Sequence, residues 1–274
     1  MSKLSVIIPT SGDSDLNPTI FSLLKSTYPP SEIIIISPKK IKVYKNEVIK
    51  IVYCKVKSQV KQRLIGFRKA KYQYILQSDD DIAYDKKCIE NLVKVIKKQR
   101  FKSAVSPTIL NQKRESIYSA QYKRPSWYNY LVNGSQGFTP GRFASSGEAF
   151  GFKTDCKTAK EVEVSWLPGG CVLHAKKNLS YKNYYPFTGK ALGEDVIHSI
   201  IIKKKGVKLF ISPAALCKTK LSTSGVSCHE IYLSLWKLNW VWNQVISTNT
   251  GSSFRKYLNI VFYLFYFLKQ KMKC

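Results

Sequence analysis

Acidic side chains are scarce in this chain: 17 Asp and Glu stand against 45 Lys and Arg, a formal net charge of +28 over 274 residues. Arginine is scarce as well, with seven of those 45 cations. The charge is therefore mostly compact ammonium, not the planar forks that read bases and carboxylates bidentately. Such a chain is drawn to polyanions, whether nucleic acid, acidic lipid headgroups or diphosphate substrates. No CxxC pair occurs among the seven cysteines at 54, 88, 156, 171, 217, 228 and 274. That argues against a structural zinc site and for a reducing compartment. The apolar run before Pro9 is shorter than the roughly 7–15 residues of a secretory signal, so the cytoplasm is the expected location. Internal repeats and long membrane-spanning runs are also lacking. What is plentiful is apolar and aromatic side chain, 44 % and 13 %, which excludes a disordered chain, a collagen and a small disulfide scaffold.

The first hundred residues alternate short apolar runs with amphipathic segments. Leu4 to Ile8 predicts a buried strand, and Asn17-Pro18 predicts an N-cap with proline in the first helical turn. Ile33 to Ile36 is a second strand, Val43 to Ile51 one or two more, and Ser58 can cap a helix through Ala70. Tyr72 to Leu76 returns as a strand running into Gln77-Ser78-Asp79-Asp80-Asp81, and Cys88, Ile89, Leu92, Val93 and Ile96 recur at helical spacing. Continuous apolar strands between such helices indicate a parallel sheet covered on both faces, an α/β architecture whose ligands bind at the carboxyl ends of strands. Further on, Ser126 to Gly151 is rich in Gly, Ser and aromatics and reads as a long mobile loop. Gly193-Glu194-Asp195 opens a helix to about Lys204, and Val207 to Ile211 is a strand ended by Pro213. The aromatic run Tyr257 to Leu268, with lysines at 269, 271 and 273, extends only about 18 Å as a helix. That is too short for a bilayer of roughly 30 Å, so it fits a segment lying in the interface of an anionic membrane.

Three consecutive carboxylates in so basic a chain repel one another unless a cation neutralises them. Asp79 and Asp81 share a face if strand geometry persists, and an Asp-x-Asp at a strand end suits Mg²⁺ or Mn²⁺, which take oxygen ligands and bridge to phosphates. A solvated acidic turn before a helix is the structural alternative. Glu194 and Asp195 form a second pair at a helix start, able either to complement the helix dipole or to supply a general base. Gly169-Gly170 after Pro168 permits close backbone approach to a ligand.

The order of these motifs resembles family 2 of the GT-A glycosyltransferases. The matching pieces are Leu4 to Thr10, Gln62-Arg63-Leu64-Ile65-Gly66, Tyr74 to Asp81, Trp166-Leu167-Pro168-Gly169-Gly170-Cys171 and Gly193-Glu194-Asp195-Val196, within about residues 3–215. The resemblance implies a Rossmann-like, mainly parallel sheet sandwiched by helices. It places a glycosyltransferase domain over 1–220, with a donor half to about 100 and an acceptor half to 220, followed by a C-terminal aromatic helical extension over 221–274. It implies inverting transfer of one sugar from a nucleotide-diphosphate donor to an acceptor hydroxyl, while the excess positive charge and the aromatic tail point to a lipid-linked or polysaccharide acceptor, as in bacterial surface polysaccharide synthesis. Pro9, Thr10, Arg63, Asp79 and Asp80 would bind the nucleotide-sugar, and Asp81 with Asp79 would hold Mn²⁺ or Mg²⁺. Asp195, with Glu194, would act as base, and Gly169, Gly170 and Trp166 would form the acceptor or sugar site. The expected setting is the inner face of the cell membrane, with no nucleic-acid partner.

The pattern also departs from the family. Ile36-Ser37-Pro38-Lys39-Lys40 lacks the acidic residue that often holds the nucleobase, and Cys217-Lys218 stands where a metal-binding His often follows, leaving His229 as a surface or packing residue. The Gln-x-x-Arg-Trp signature of processive synthases is absent, which favours single-sugar addition. A basic nucleic-acid-binding module and a metal-dependent nucleotidyltransferase are the rival readings. The first lacks a recognised motif, and the second accounts poorly for the Pro-Gly-Gly and Gly-Glu-Asp elements.

Overall fold

The computed structural model describes residues 3–118, 127–134, 139–152, 160–187, 191–220, 234–248 and 251–271. Strands β1 (Leu4–Pro9), β2 (Glu32–Ser37), β3 (Ile49–Tyr53) and β4 (Tyr74–Ser78) pair in parallel in the order β3-β2-β1-β4. Their side chains alternate between two cores because successive residues of a strand point to opposite faces. Val6, Ile8, Ile33 and Ile35 pack with helices α1 (Asn17–Leu24) and α3 (Cys88–Lys98), whereas Ile7, Ile34 and Ile36 pack with α2 (Gln59–Lys69). Both faces of β1, β2 and β4 are dry, which explains the unbroken isoleucine run of β2, whereas the edge strand β3 is only partly covered.

Gly66 lets α2 lie directly on the sheet. A Cβ there would fall 2.9 Å from Ile36 Cδ1 and closer still to Ile7 Cγ2. The residues around α1 differ from expectation. Leu16 is the N-cap and makes no side-chain capping bond, while Asn17 turns away to accept a 2.8 Å bond at Oδ1 from the Tyr44 N–H. Pro18 does sit in the first turn. Residues 41–46 form no strand, and Ile41 and Val43 pack on the first core from an irregular segment.

Beyond β4 the sheet becomes mixed. β8 (Cys171–Ala175) runs antiparallel between β4 and β6 (Ser103–Leu110), and β6 pairs in parallel with β9 (Lys208–Thr219). The short strands β5 (Ile82–Tyr84) and β7 (Val162–Glu163) pair antiparallel to β9. Pro213 does not end β9, as the sequence suggested. The register jumps from Ser212 opposite Pro107 to Leu216 opposite Thr108, so Pro213 lies in a bulge where no ladder donor is needed. Helix α5 (Glu194–Lys204) packs Val196, Ile197 and Ile200 into a separate core with Trp166, Leu209, Val241 and Val245.

The region from 126 to 151, expected as a mobile loop, is built structure wherever it is described. Helix α4 (Trp127–Asn133) is followed by a Phe143–Ala149 bridge, and Ser146 is buried with its hydroxyl donating 2.6 Å to Asn133 Oδ1. Two C-terminal helices, α6 (Leu235–Thr248) and α7 (Ser253–Lys271), supply the packing partners that sequence alone could not name. Gly147 closes on the backbone of Trp242, and the Tyr263 hydroxyl donates 2.8 Å to Glu148 Oε1. His229 lies outside the described residues.

Candidate active site

The carboxyl ends of β1 and β4 open into a cleft of about 970 Å³ lined by Pro9, Thr10, Asp13, Lys39, Gln59 and Asp79 to Asp81, among others. Strand geometry does not persist through the triplet. β4 stops at Ser78 and the chain turns, so the carboxylates diverge instead of Asp79 and Asp81 sharing a face. Asp79 accepts at Oδ1 from Arg63 (2.9 Å) and Gln59 (2.8 Å), Asp80 accepts 2.6 Å from the Thr10 hydroxyl, and Asp81 accepts 2.6 Å from the Thr219 hydroxyl at the end of β9. Each charge is thereby held by a different element of the fold.

Arg63 is the residue on which the site converges. It is 1 % exposed, and its guanidinium donates to Asp79, to Glu194 Oε1 at 3.1 Å and to the Gly169 carbonyl at 3.1 Å. Burial opposes its charge, but Asp79 and then Glu194 outweigh it and push its pKa up, so it stays protonated. The resemblance implied an arginine touching nucleotide. The structure instead encloses it, because α2 turns Gln59, Gln62, Arg63 and Gly66 toward the sheet on one helical face. Lone i, i+3, i+4 spacing of polar residues on a half-buried helix was the available signal for Gln59, which sequence reading missed.

The second acidic group reaches the same place. Gly193, at φ +72°, is the N-cap of α5, and so turns Glu194 and Asp195 into its first turn. Asp195 Oδ2 accepts from the Gly169 N–H at 3.2 Å and Oδ1 from the Val196 N–H at 2.9 Å. Gly169 and Gly170 are glycines because carboxylates lie against them. A Cβ at Gly169 would sit 3.1 Å from Glu194 Oε1, and one at Gly170 3.2 Å from Asp79 Oδ2. Gln77 donates to the Gly169 carbonyl and Gly170 accepts 2.8 Å from the Asp79 N–H, so this turn is pinned from both sides.

Burial, and then the charge of Glu194, push the Asp195 pKa up to about 7 against the opposing pull of the Gly169 and Val196 amides. Tyr118, another residue the sequence did not single out, packs edge-on to Trp166 at 5.8 Å, and burial followed by Asp195 and Asp79 raises its hydroxyl pKa. Trp166, expected at the acceptor site, is instead 5 % exposed in the second core, tilted 4.8 Å from Phe152 with its indole N–H donating 2.9 Å to the Phe150 carbonyl.

The donor set along the cleft is all oxygen, which suits a hard divalent ion. Asp80 and Asp81 each keep one carboxylate oxygen with no hydrogen-bond partner among the described residues, and Asp79 keeps Oδ2 beside Gly170. No group of three or more His, Cys, Asp or Glu side chains suited to a metal occurs among the described residues. An ion held by one or two carboxylates together with substrate phosphates fits these residues.

Solved structures share this architecture. The chain superposes on a crystal structure of GalNAc-T7 with UDP, GalNAc and Mn²⁺ at TM-score 0.55 and 19 % identity, over 80 % of this chain and 43 % of that one. It superposes on S. aureus TarS at TM-score 0.53 and 11 % identity, over 93 % and 41 %. The protein thus spans less than half the length of either, and at such identities the likeness is one of fold, the GT-A fold. No curated protein matches the sequence. Residues 5–157, more than half of the chain, match glycosyl transferase family 2, and that span carries β1, the Arg63 helix and the aspartate triplet. The chain belongs to that family.

Proposed function

We propose that the protein is an inverting, metal-dependent glycosyltransferase that moves one sugar from a nucleotide-diphosphate donor to an acceptor hydroxyl. The observation that carries this reading is the double ion pair of Arg63, which ties the triplet carboxylate Asp79 to the couplet carboxylate Glu194 across one buried guanidinium. Two acidic groups 115 residues apart in sequence, at 79 and 194, are thereby held on one side chain, with Asp79 also on the wall of the cleft.

In this reading Pro9, Thr10 and Asp80 border the nucleotide, and Asp81, with Asp79 beside it, would hold Mn²⁺ or Mg²⁺. The ion, when bound, neutralises charge on the departing diphosphate. Arg63 acts through the carboxylates it orients, as a positioning residue. Gly169 and Gly170, against which the Glu194 and Asp79 carboxylates close, would shape the floor of the sugar and acceptor site. Asp195 takes the proton of the acceptor hydroxyl as its oxygen bonds to the anomeric carbon and the carbon–oxygen bond to phosphate breaks on the opposite side. A base whose pKa lies near 7 matches this task at neutral pH. Because only the ionised form accepts the proton, turnover falls as pH drops below about 7. The acceptor we infer is a lipid-linked saccharide of bacterial surface polysaccharide synthesis, met at the inner, anionic face of the cell membrane by a 1–220 catalytic domain with a 221–274 extension. The net charge of +28 supports that setting.

The test is nucleotide release from a panel of nucleotide-sugars with Mn²⁺ or Mg²⁺. Asp81→Ala is expected to abolish metal-dependent donor binding. Asp195→Asn should retain donor binding and lose turnover by roughly 10²–10⁴-fold. Release that survives both substitutions overturns the reading.

A further inference from the structure

Helix α7 is built inside out. Its inward side buries Lys256 and Asn259, which are 4 % and 5 % exposed, and the Lys256 ammonium donates 2.8 Å to Asn243 Oδ1 on α6. Its outward side carries Phe254, Tyr257, Val261, Leu264, Phe265 and Leu268, spaced by threes and fours along one stripe. Phe254 and Phe265 are 68 % and 67 % exposed. A surface helix of a globular protein normally has the reverse arrangement. Helix α4 lies alongside, joined by a 2.9 Å bond from Arg255 Nη1 to the Tyr130 carbonyl, and adds exposed Trp127, Tyr130 and Leu131. Large apolar side chains exposed on two adjoining helices mark an interaction site.

We propose that α4 and α7 together form a docking face for an anionic lipid bilayer. Charge decides the occupant. Residues 231–274 contain no Asp or Glu, against Lys237, Arg255, Lys269, Lys271 and Lys273 besides the inward Lys256, and α4 has no acidic residue either. Two copies meeting through this face would bring together two chains of +28 each, whereas acidic headgroups complement that charge. Tyr and Trp with Phe and Leu are the side chains that settle at a bilayer interface. No helix among the described residues is long and apolar enough to cross a membrane, so the face lies on the bilayer. The face also has a route to the site. Tyr263 stacks on Trp242 of α6 at 5.8 Å, and the neighbouring Val241 packs against Gly193, the cap of the helix that carries Asp195. The inference deepens the membrane setting proposed above and rests on it for the acceptor, while the face itself stands on these contacts.

The experiment is co-sedimentation of the full chain with vesicles of phosphatidylcholine, with and without phosphatidylglycerol, alongside nucleotide release in the absence of lipid. We expect binding that requires phosphatidylglycerol. Phe254→Ser with Phe265→Ser should weaken it about tenfold or more, and Trp127→Ser on α4 should weaken it independently. Nucleotide release should be the same in all variants. Vesicle binding that is absent in the parent, or unchanged in both sets of variants, overturns the proposal, as does a dimer in light scattering that these substitutions dissolve. Loss of nucleotide release in the parent with vesicle binding intact would instead overturn the catalytic reading.

Discussion

Ile33 to Ile36 and Phe262 to Leu268 are both dominated by apolar side chains, yet the first stretch is sealed and the second carries some of the most exposed residues described. The isoleucines are at most 1 % exposed between two helical layers, while Phe265 is 67 % exposed and Leu268 53 %. In the parallel half, hydrophobicity is consumed by the fold itself. On α7 the outward stripe does nothing for the fold, since that helix attaches through Lys256, Asn259 and Tyr263. Apolar content therefore says how much surface seeks to leave water, and only the neighbours decide whether the chain or something outside it provides the shelter.

That contrast predicts a ranked set of losses in thermal or denaturant unfolding. Arg63→Met, where the two halves of the sheet meet, should cost the most, about 3–5 kcal/mol, by leaving the Asp79 and Glu194 carboxylates without their shared cation. Ile34→Ala in the sealed strand should cost about 2–5 kcal/mol through the cavity it leaves. Gly66→Ala should cost about 1–3 kcal/mol by pushing α2 off Ile7 and Ile36. Phe265→Ser on α7 should change stability by no more than about 0.5 kcal/mol. A large loss at Phe265, or a small one at Ile34, would erase the distinction between the two regions.

Much of the parallel half of the sheet was legible from sequence because local rules govern it. Isoleucine runs predicted doubly covered strands, and the aspartate triplet and Gly193-Glu194-Asp195 fell at a strand end and a helix start as expected. That the two acidic groups meet was implied only by the resemblance, since nothing in their spacing states it. Arg63 looked like a ligand-binding cation because sequence carries charge but not enclosure. Trp166 was expected at the acceptor or sugar site, yet Tyr118 and Phe152 pack against it in the core. Pro213 read as a stop because the bulge that tolerates it is set by β6, over a hundred positions earlier. The stretch 126–151 read as a loop for the same reason, its partners being α6 and α7.

The contact between Val241 and Gly193 has a practical consequence for anyone shortening this chain. A Cβ at Gly193 would lie 3.0 Å from Val241 Cγ2, so α6 is a wall against which the left-handed cap of α5 is pressed. Cutting away the aromatic tail to improve solubility would strip that wall along with the sticky helix. On the proposed reading, slow turnover in a trimmed chain would then follow from a slackened Asp195 carboxylate and not from a missing lipid.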